Sequence, residues 1–194
     1  MRQKKSYFQE QPLFYLRTLK EEDAADVWSY LSRPEVVKHY GMEPLRSVQE
    51  AVEEIQWYHD IESDGTGCRF GIVLQDNERV IGSCGFHNWH QKSGRAEVAM
   101  ELHPSFWGLH IMTHAMHVIL EYGFRSMNLE VVTALVKREN FSSQRLMEKL
   151  DFQRASVVID GVYTYYAAKK NRQLIKDEER CFSIWKQKPR AFIT

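Results

Sequence analysis

The stretch from Glu97 to Ser143 limits the possible folds more than any other part of the chain. Residues 95–102 alternate with a period of two, placing Val98, Met100 and Leu102 on one face and Glu97, Ala99 and Glu101 on the other. The turn His103-Pro104-Ser105-Phe106-Trp107-Gly108 follows, then a helix over about 111–127, a β-branched strand at 130–136, and a helix opening near Asn140-Phe141-Ser142-Ser143. A strand, a helix and a second strand of this combined length allow a crossover, and so a parallel pair inside a mixed sheet. A helix that starts just after a glycine turn has N–H groups without intrahelical partners and a partial positive charge. The natural guest there is a phosphate or pyrophosphate.

The rest of the chain builds around this unit. Residues 13–17 read as a strand, and Thr18-x-x-Glu21 as a capping box for a helix over 21–32 with Ala24, Val27, Trp28 and Leu31 on one stripe, stopped by Pro34. Ser47-x-x-Glu50 is a second capping box, opening a helix whose apolar content is Val52, Ile55, Trp57 and Tyr58. Short spacers between 68–75, 80–89 and 95–102 predict antiparallel hairpins. The last helix is expected over 142–150, and Asp160-Gly161 as a type I′ turn between two strands. Residues 181–185 read as a final strand after a highly charged segment. The order β-α-α-β-β-β-α-β-α-β-β is an α+β plan around one mixed sheet.

Lys+Arg and Asp+Glu balance at 26 each, which argues against nucleic acid or an anionic membrane as the main partner. Cys68, Cys84 and Cys181 are far apart without C-x-x-C spacing, so a reducing, cytoplasmic setting is expected. The basic start Met1-Arg2-Gln3-Lys4-Lys5 has no apolar run behind it and does not read as a signal peptide. His110, His114, His117 and Glu121 recur at helical spacing; they read as a polar helix face, with no metal assigned, because His110 lies in the phosphate turn. Glu97 and Glu101 share a strand face that ends at that turn, so either could serve as a general base.

Leu102-His103-Pro104-Ser105-Phe106-Trp107-Gly108-Leu109-His110-Ile111-Met112-Thr113 resembles the acetyl-CoA loop of the GNAT acyltransferases. Within that superfamily it is most similar to the branch of the RimJ/RimL ribosomal-protein N-terminal acetyltransferases, which also holds spermidine and small-amine enzymes. Arg33-Pro34-Glu35-Val36-Val37-Lys38-His39-Tyr40-Gly41 resembles the loop between the branch's first two helices, and Ala96 to Leu102 its fourth strand. Asn140-x-x-Ser143 with Leu146-x-x-Lys149-Leu150-x-Phe152 resembles its last helix. The likeness spans residues 13–152.

The resemblance implies a mixed, mostly antiparallel sheet of about seven strands with about four helices in a single domain over 1–194. Residues 1–12 would be an N-terminal extension and 167–180 a charged insert before the last strand. It implies acetyl-CoA as co-substrate, no metal, and transfer to a primary amine, on a ribosomal-protein N-terminus or on a small molecule, by direct attack. Backbone from Gly108 through Leu109, His110, Ile111 and Met112 to Thr113 would hold the pyrophosphate, and Met100 to Leu102 would pair with the pantetheine. Asn140 would contact cofactor or water. Ser143 would serve as the thiolate's acid, because Met147 stands where many members have tyrosine. Tyr40, Trp57, Tyr58 and Tyr163 would line the acceptor site, and a homodimer is an assembly the branch supports. Three residues depart from the pattern: His110 where Gly or Ala is usual, His114 where Glu is usual, and Asp151 in place of Gly before Phe152. His110 and Asp151 motivate an alternative, a degenerate member that binds acyl-CoA, or nothing, and works as a non-catalytic binding module.

Overall fold

A computed structural model describes residues 13–159 and 163–170. β1 (Phe14–Thr18) is followed by α1 (Ala24–Leu31), a short α2 (Pro34–Val37) and α3 (Val48–Ser63). Then come β2 (Cys68–Leu74), β3 (Val80–His90), β4 (Arg95–Leu102), α4 (Ile111–Arg125), β5 (Val131–Lys137), α5 (Phe141–Lys149), β6 (Gln153–Ile159) and β7 (Tyr163–Lys169). The seven described strands form one mixed sheet, as expected, in the order β1-β2-β3-β4-β5-β7-β6. All pairs are antiparallel except β4 with β5. The Asp160-Gly161 turn and the strand expected at 181–185 lie outside the described residues. Among the described residues no helix is long and apolar enough to cross a membrane.

Two apolar layers flank the sheet. α4 lays Ile111, Ala115, Met116 and Ile119 against Phe70, Ile72, Phe86 and Val98, and α5 adds Met147. Gly123 lets α4 approach closely: a Cβ there would come within 2.6 Å of the Phe86 ring. On the other face α1 and α3 bury Val27, Tyr30, Leu31, Ile55 and Tyr58 over Val73 and Val80.

The helix starts differ from expectation in instructive ways. α1 does not use Thr18 and Glu21. Its approach is held by Asp23, whose carboxylate accepts the Lys20 N–H at 2.7 Å and a two-pronged contact from buried Arg17 at 2.6 and 2.8 Å. A charged, two-oxygen acceptor satisfies more donors than a hydroxyl can. Ser47 does cap α3, accepting the Glu50 N–H at 3.2 Å, but Glu50 takes the Arg46 N–H instead of the Ser47 N–H. Trp28 and Trp57, assigned to apolar stripes, are 37% and 48% exposed. Each sits at the solvent edge of its stripe, and Tyr30 and Tyr58 take the buried places.

α5 ends with the Phe152 N–H on the Met147 carbonyl at 3.0 Å and Asp151 at φ 58°. This αL stop usually belongs to glycine. Asp151→Gly should stabilise the fold by about 0.5–1 kcal/mol and raise the melting temperature by about 1–4 °C. A lower melting temperature by calorimetry would show that the Asp151 side chain outweighs its backbone strain.

Candidate active site

The site begins where two strands part. β4 and β5 pair only at Arg95↔Val131, Ala96↔Val132 and Glu97↔Thr133. Beyond Glu97, β4 stays bonded to β3 as far as Leu102, while β5 stays bonded to β7 as far as Lys137. Each strand keeps its outer partner and loses its inner one, so backbone groups of Met100 to Leu102 are left facing the gap. A cavity of about 470 Å³ occupies this mouth.

The start of α4 closes one side of the cavity. Its first intrahelical bond runs from the His114 N–H to the His110 carbonyl at 3.1 Å, and no side chain caps the terminus. The N–H groups of Ile111, Met112 and Thr113 are therefore spare, and all three residues line the cavity with Gly108 and His110. Gly108 is at φ 79°, and a Cβ on it would meet nothing within 4 Å. His110 is at φ 59°, so the imidazole residue holds the left-handed conformation that glycine would supply. Histidine is among the side chains that tolerate this region best. Leu109 instead packs against the core.

The turn before α4 is fixed at several points. The Trp107 indole N–H donates to the Leu102 carbonyl at 2.8 Å. The Ser105 N–H donates to His103 Nδ1 at 3.2 Å, which sets the tautomer of this buried imidazole. Burial, reinforced by Arg33 and Arg79 against Glu35, pushes the His103 pKa below its usual value.

α5 forms the opposite wall. Asn140 Oδ1 accepts the Ser143 N–H at 3.1 Å and so caps the helix. Ser142, Arg145, Leu146 and Lys149, spaced i, i+3, i+4 and i+7, present one stripe to the cavity. Met147 is wholly buried and contributes no polar group. Lys38, His39 and Tyr40 close the third side, tethered to the end of β5 by Lys137 Nζ, which donates to the Lys38 carbonyl at 2.9 Å. Burial and neighbouring Lys38 lower the pKa of His39, which lines the cavity.

An acetyltransferase (GNAT) domain profile matches residues 14–153. The chain belongs to the GNAT acetyltransferase family. It is 36% identical over 145 residues, 75% of this chain and 82% of the relative, to the uncharacterized N-acetyltransferase p20 of Bacillus licheniformis. Its fold is similar to that of spermidine N-acetyltransferase from Vibrio cholerae, solved with CoA and spermine (TM-score 0.68, 20% identity, 80% and 95% of the two chains covered). It is also similar to that of Mycobacterium smegmatis RimJ, solved with CoA-disulfide (TM-score 0.69, 19% identity, 79% and 80% covered).

In this acetyltransferase Glu101 is the cavity residue with the most developed surroundings. It is buried, forms an ion pair with buried Arg69 of β2, and accepts the Ser83 hydroxyl of β3 at 2.7 Å. Arg69 Nε also donates to Ser83 Oγ at 3.2 Å, and its guanidinium lies 5.3 Å from the centre of the Tyr58 ring. Burial works against the Arg69 charge, but Glu101 together with the Tyr58 and Tyr40 hydroxyls more than offsets it and the pKa is raised. Burial, helped by Glu101, pushes the hydroxyls of Tyr30, Tyr40 and Tyr58 above the ordinary tyrosine value. Tyr40 is 41% exposed overall, yet its hydroxyl is turned inward, close enough to Glu101 and Arg69 to feel both charges.

The other residues singled out from sequence are more scattered. Glu97 lies at the paired end of β4, with His87 Nε2 at 3.6 Å and Asn88 Nδ2 at 3.5 Å, away from the cavity lining. Trp57 is half-exposed beside Tyr58 (ring centres 5.4 Å apart), and Tyr163 starts β7 opposite Lys137. Neither of these two nor Tyr58 lines the cavity, whereas Tyr40, Met100, Glu101, Leu102, Asn140 and Ser143 do. Sequence reasoning missed Arg145 and Lys149, although their spacing from Ser142 was readable. It also missed Arg69 and Ser83, which carry no local signal.

Two measurements test this description. Arg69→Met strands a buried carboxylate and should destabilise the fold by about 3–5 kcal/mol in urea unfolding, with much of the loss recovered by adding Glu101→Leu. Equal instability of the single and double variants would contradict the pairing. His103, with its pKa depressed, should make stability fall with acid: below the ordinary histidine value the unfolded chain takes up a proton that the folded chain resists. His103→Asn, which keeps an acceptor for Ser105, should flatten that acid limb of the melting curve; an unchanged limb would assign it to another group.

Proposed function

We propose that this acetyltransferase moves an acetyl group from acetyl-CoA to a primary amine, on a protein N-terminus or on a small molecule, by direct attack. The observation that carries the reading is the meeting of three features in one cavity. These are the bare β4 edge at Met100 to Leu102, the uncapped start of α4, and the basic stripe of α5. A long thiol ester with a pyrophosphate and further phosphate charge matches each in turn. The bound co-substrate supplies an activated acyl carbon and a thiolate leaving group.

The chain's own residues would do the following. Backbone from Gly108 to Thr113 binds the pyrophosphate, and the open space at Gly108 admits it. Arg145 and Lys149 add positive charge along the same wall. Met100 and Leu102 pair with the amide arm, displacing the indole N–H that Trp107 places on the Leu102 carbonyl. Glu101 takes a proton from the acceptor's ammonium group, directly or through water, which frees the nitrogen lone pair to attack. Ser143, beside Asn140 at the start of α5, stands ready to protonate the departing sulfur. Similarity to a spermidine enzyme and to a RimJ supports an amine acceptor and the RimJ/RimL-like branch.

The test is CoA-thiol release from acetyl-CoA over a panel of peptides with free N-termini, polyamines and small amines. Release with at least one acceptor is expected; acetyl-CoA binding without release for any acceptor would favour a binding module. Replacing Arg145 and Lys149 together by alanine should raise the acetyl-CoA KM about 5- to 25-fold with kcat little changed. A loss confined to kcat would place these side chains elsewhere in the reaction.

A further inference from the structure

The polar ladder behind Glu101 asks for an explanation that folding alone does not provide. Arg69, Ser83 and Glu101 come from three adjacent strands, and the register sets Ser83 directly opposite Glu101. They lie on the sheet face that α1 and α3 otherwise cover with apolar side chains. Taking an ion pair out of water costs free energy that an apolar pair of similar volume would not, so a buried pair is weak evidence of a stabilising purpose. Its geometry, by contrast, is specific. Arg69 and Ser83 both donate to the same carboxylate oxygen, Oε2. Among the described residues Oε1 receives no hydrogen bond, and Glu101 lines the cavity while Arg69 and Ser83 do not.

We propose that Arg69 and Ser83 are positioning residues: they anchor Oε2 of Glu101 so that Oε1 is presented to the acceptor amine in one fixed orientation. The proposal rests on the acetyl-transfer reading and deepens it. The planar guanidinium serves both neighbours at once, with Nε on Ser83 and a terminal nitrogen on Glu101. The Tyr58 ring over the guanidinium and the buried Tyr30 exclude water from the anchored side. No other carboxylate of the cavity is held this way. Glu35 is exposed and has Arg33 at 3.8 Å, and Glu97 is remote from the lining. A reacting group held by such a shell stays near one geometry, and a misplacement of about 1 Å can cost up to about a hundredfold in rate.

The experiment is steady-state kinetics with the best acceptor of the panel on the full chain, for Ser83→Ala, Arg69→Lys and Arg69→Met. Assays run well below each melting temperature, with active sites counted by acetyl-CoA binding. Ser83→Ala is small enough to leave the fold intact, and should lower kcat about 5- to 10-fold with the acetyl-CoA KM within about twofold of wild type. Arg69→Lys keeps the charge but cannot hold both neighbours, and should lower kcat about tenfold while staying above Arg69→Met. Wild-type kcat in Ser83→Ala and Arg69→Lys, with only their melting temperatures lowered, would overturn the proposal and leave the ladder a structural device. That outcome differs from failure of the underlying reading, in which the wild-type chain itself releases no thiol with any amine and both conclusions fall.

Discussion

Everything at the site follows from one interrupted contact: the parallel pairing of β4 and β5 stops after Glu97. A parallel strand pair left open at one end exposes main-chain donors and acceptors that must find partners. Here the Leu102 carbonyl finds the Trp107 indole N–H. The opening persists because each strand is committed elsewhere, β4 to β3 and β5 to β7. α4 must cross over the sheet to join the two, so its N-terminus lands beside the gap, and α5 begins beside the far end of β5. Cavity, anion-binding terminus and basic stripe are thus consequences of one topology.

The two faces of the sheet divide the work. The α4 face is apolar and well packed, and it fixes the phosphate turn in space. The α1/α3 face carries the buried charges and the tyrosines around Glu101. Two of the three departures from the family pattern sit at helix boundaries: His110 before α4 and Asp151 after α5 both occupy left-handed conformations. His110 adopts the backbone angle its position demands, so at this residue the departure is in the side chain and not in the path of the loop.

The element order, the hairpins among β2, β3 and β4, the crossover and the glycine turn before α4 were legible in the sequence because they depend on local periodicity, turn chemistry and helix termini. Asn140, expected to touch cofactor or water, is seen to cap α5. Stripe edges were less so: Trp28 and Trp57 satisfy the helical period, yet face water because Tyr30 and Tyr58 sit nearer the centre of the buried arc. Capping boxes were partly misread, since a carboxylate supplied by Asp23 and fastened by Arg17 outcompeted a hydroxyl.

By itself the sequence determined a mixed sheet with a helix that starts just after a glycine turn and two carboxylates on one strand face, because strand and helix periods are properties of neighbouring residues. Only the tertiary structure decided between those carboxylates as neighbours of the cavity. Glu97 and Glu101 are indistinguishable by spacing. One lies where β4 and β5 are still paired; the other lies past the parting, against an arginine 32 positions away in the chain. Strand register across β2, β3 and β4 brings that arginine there, and register is a relation between distant segments that no local pattern encodes.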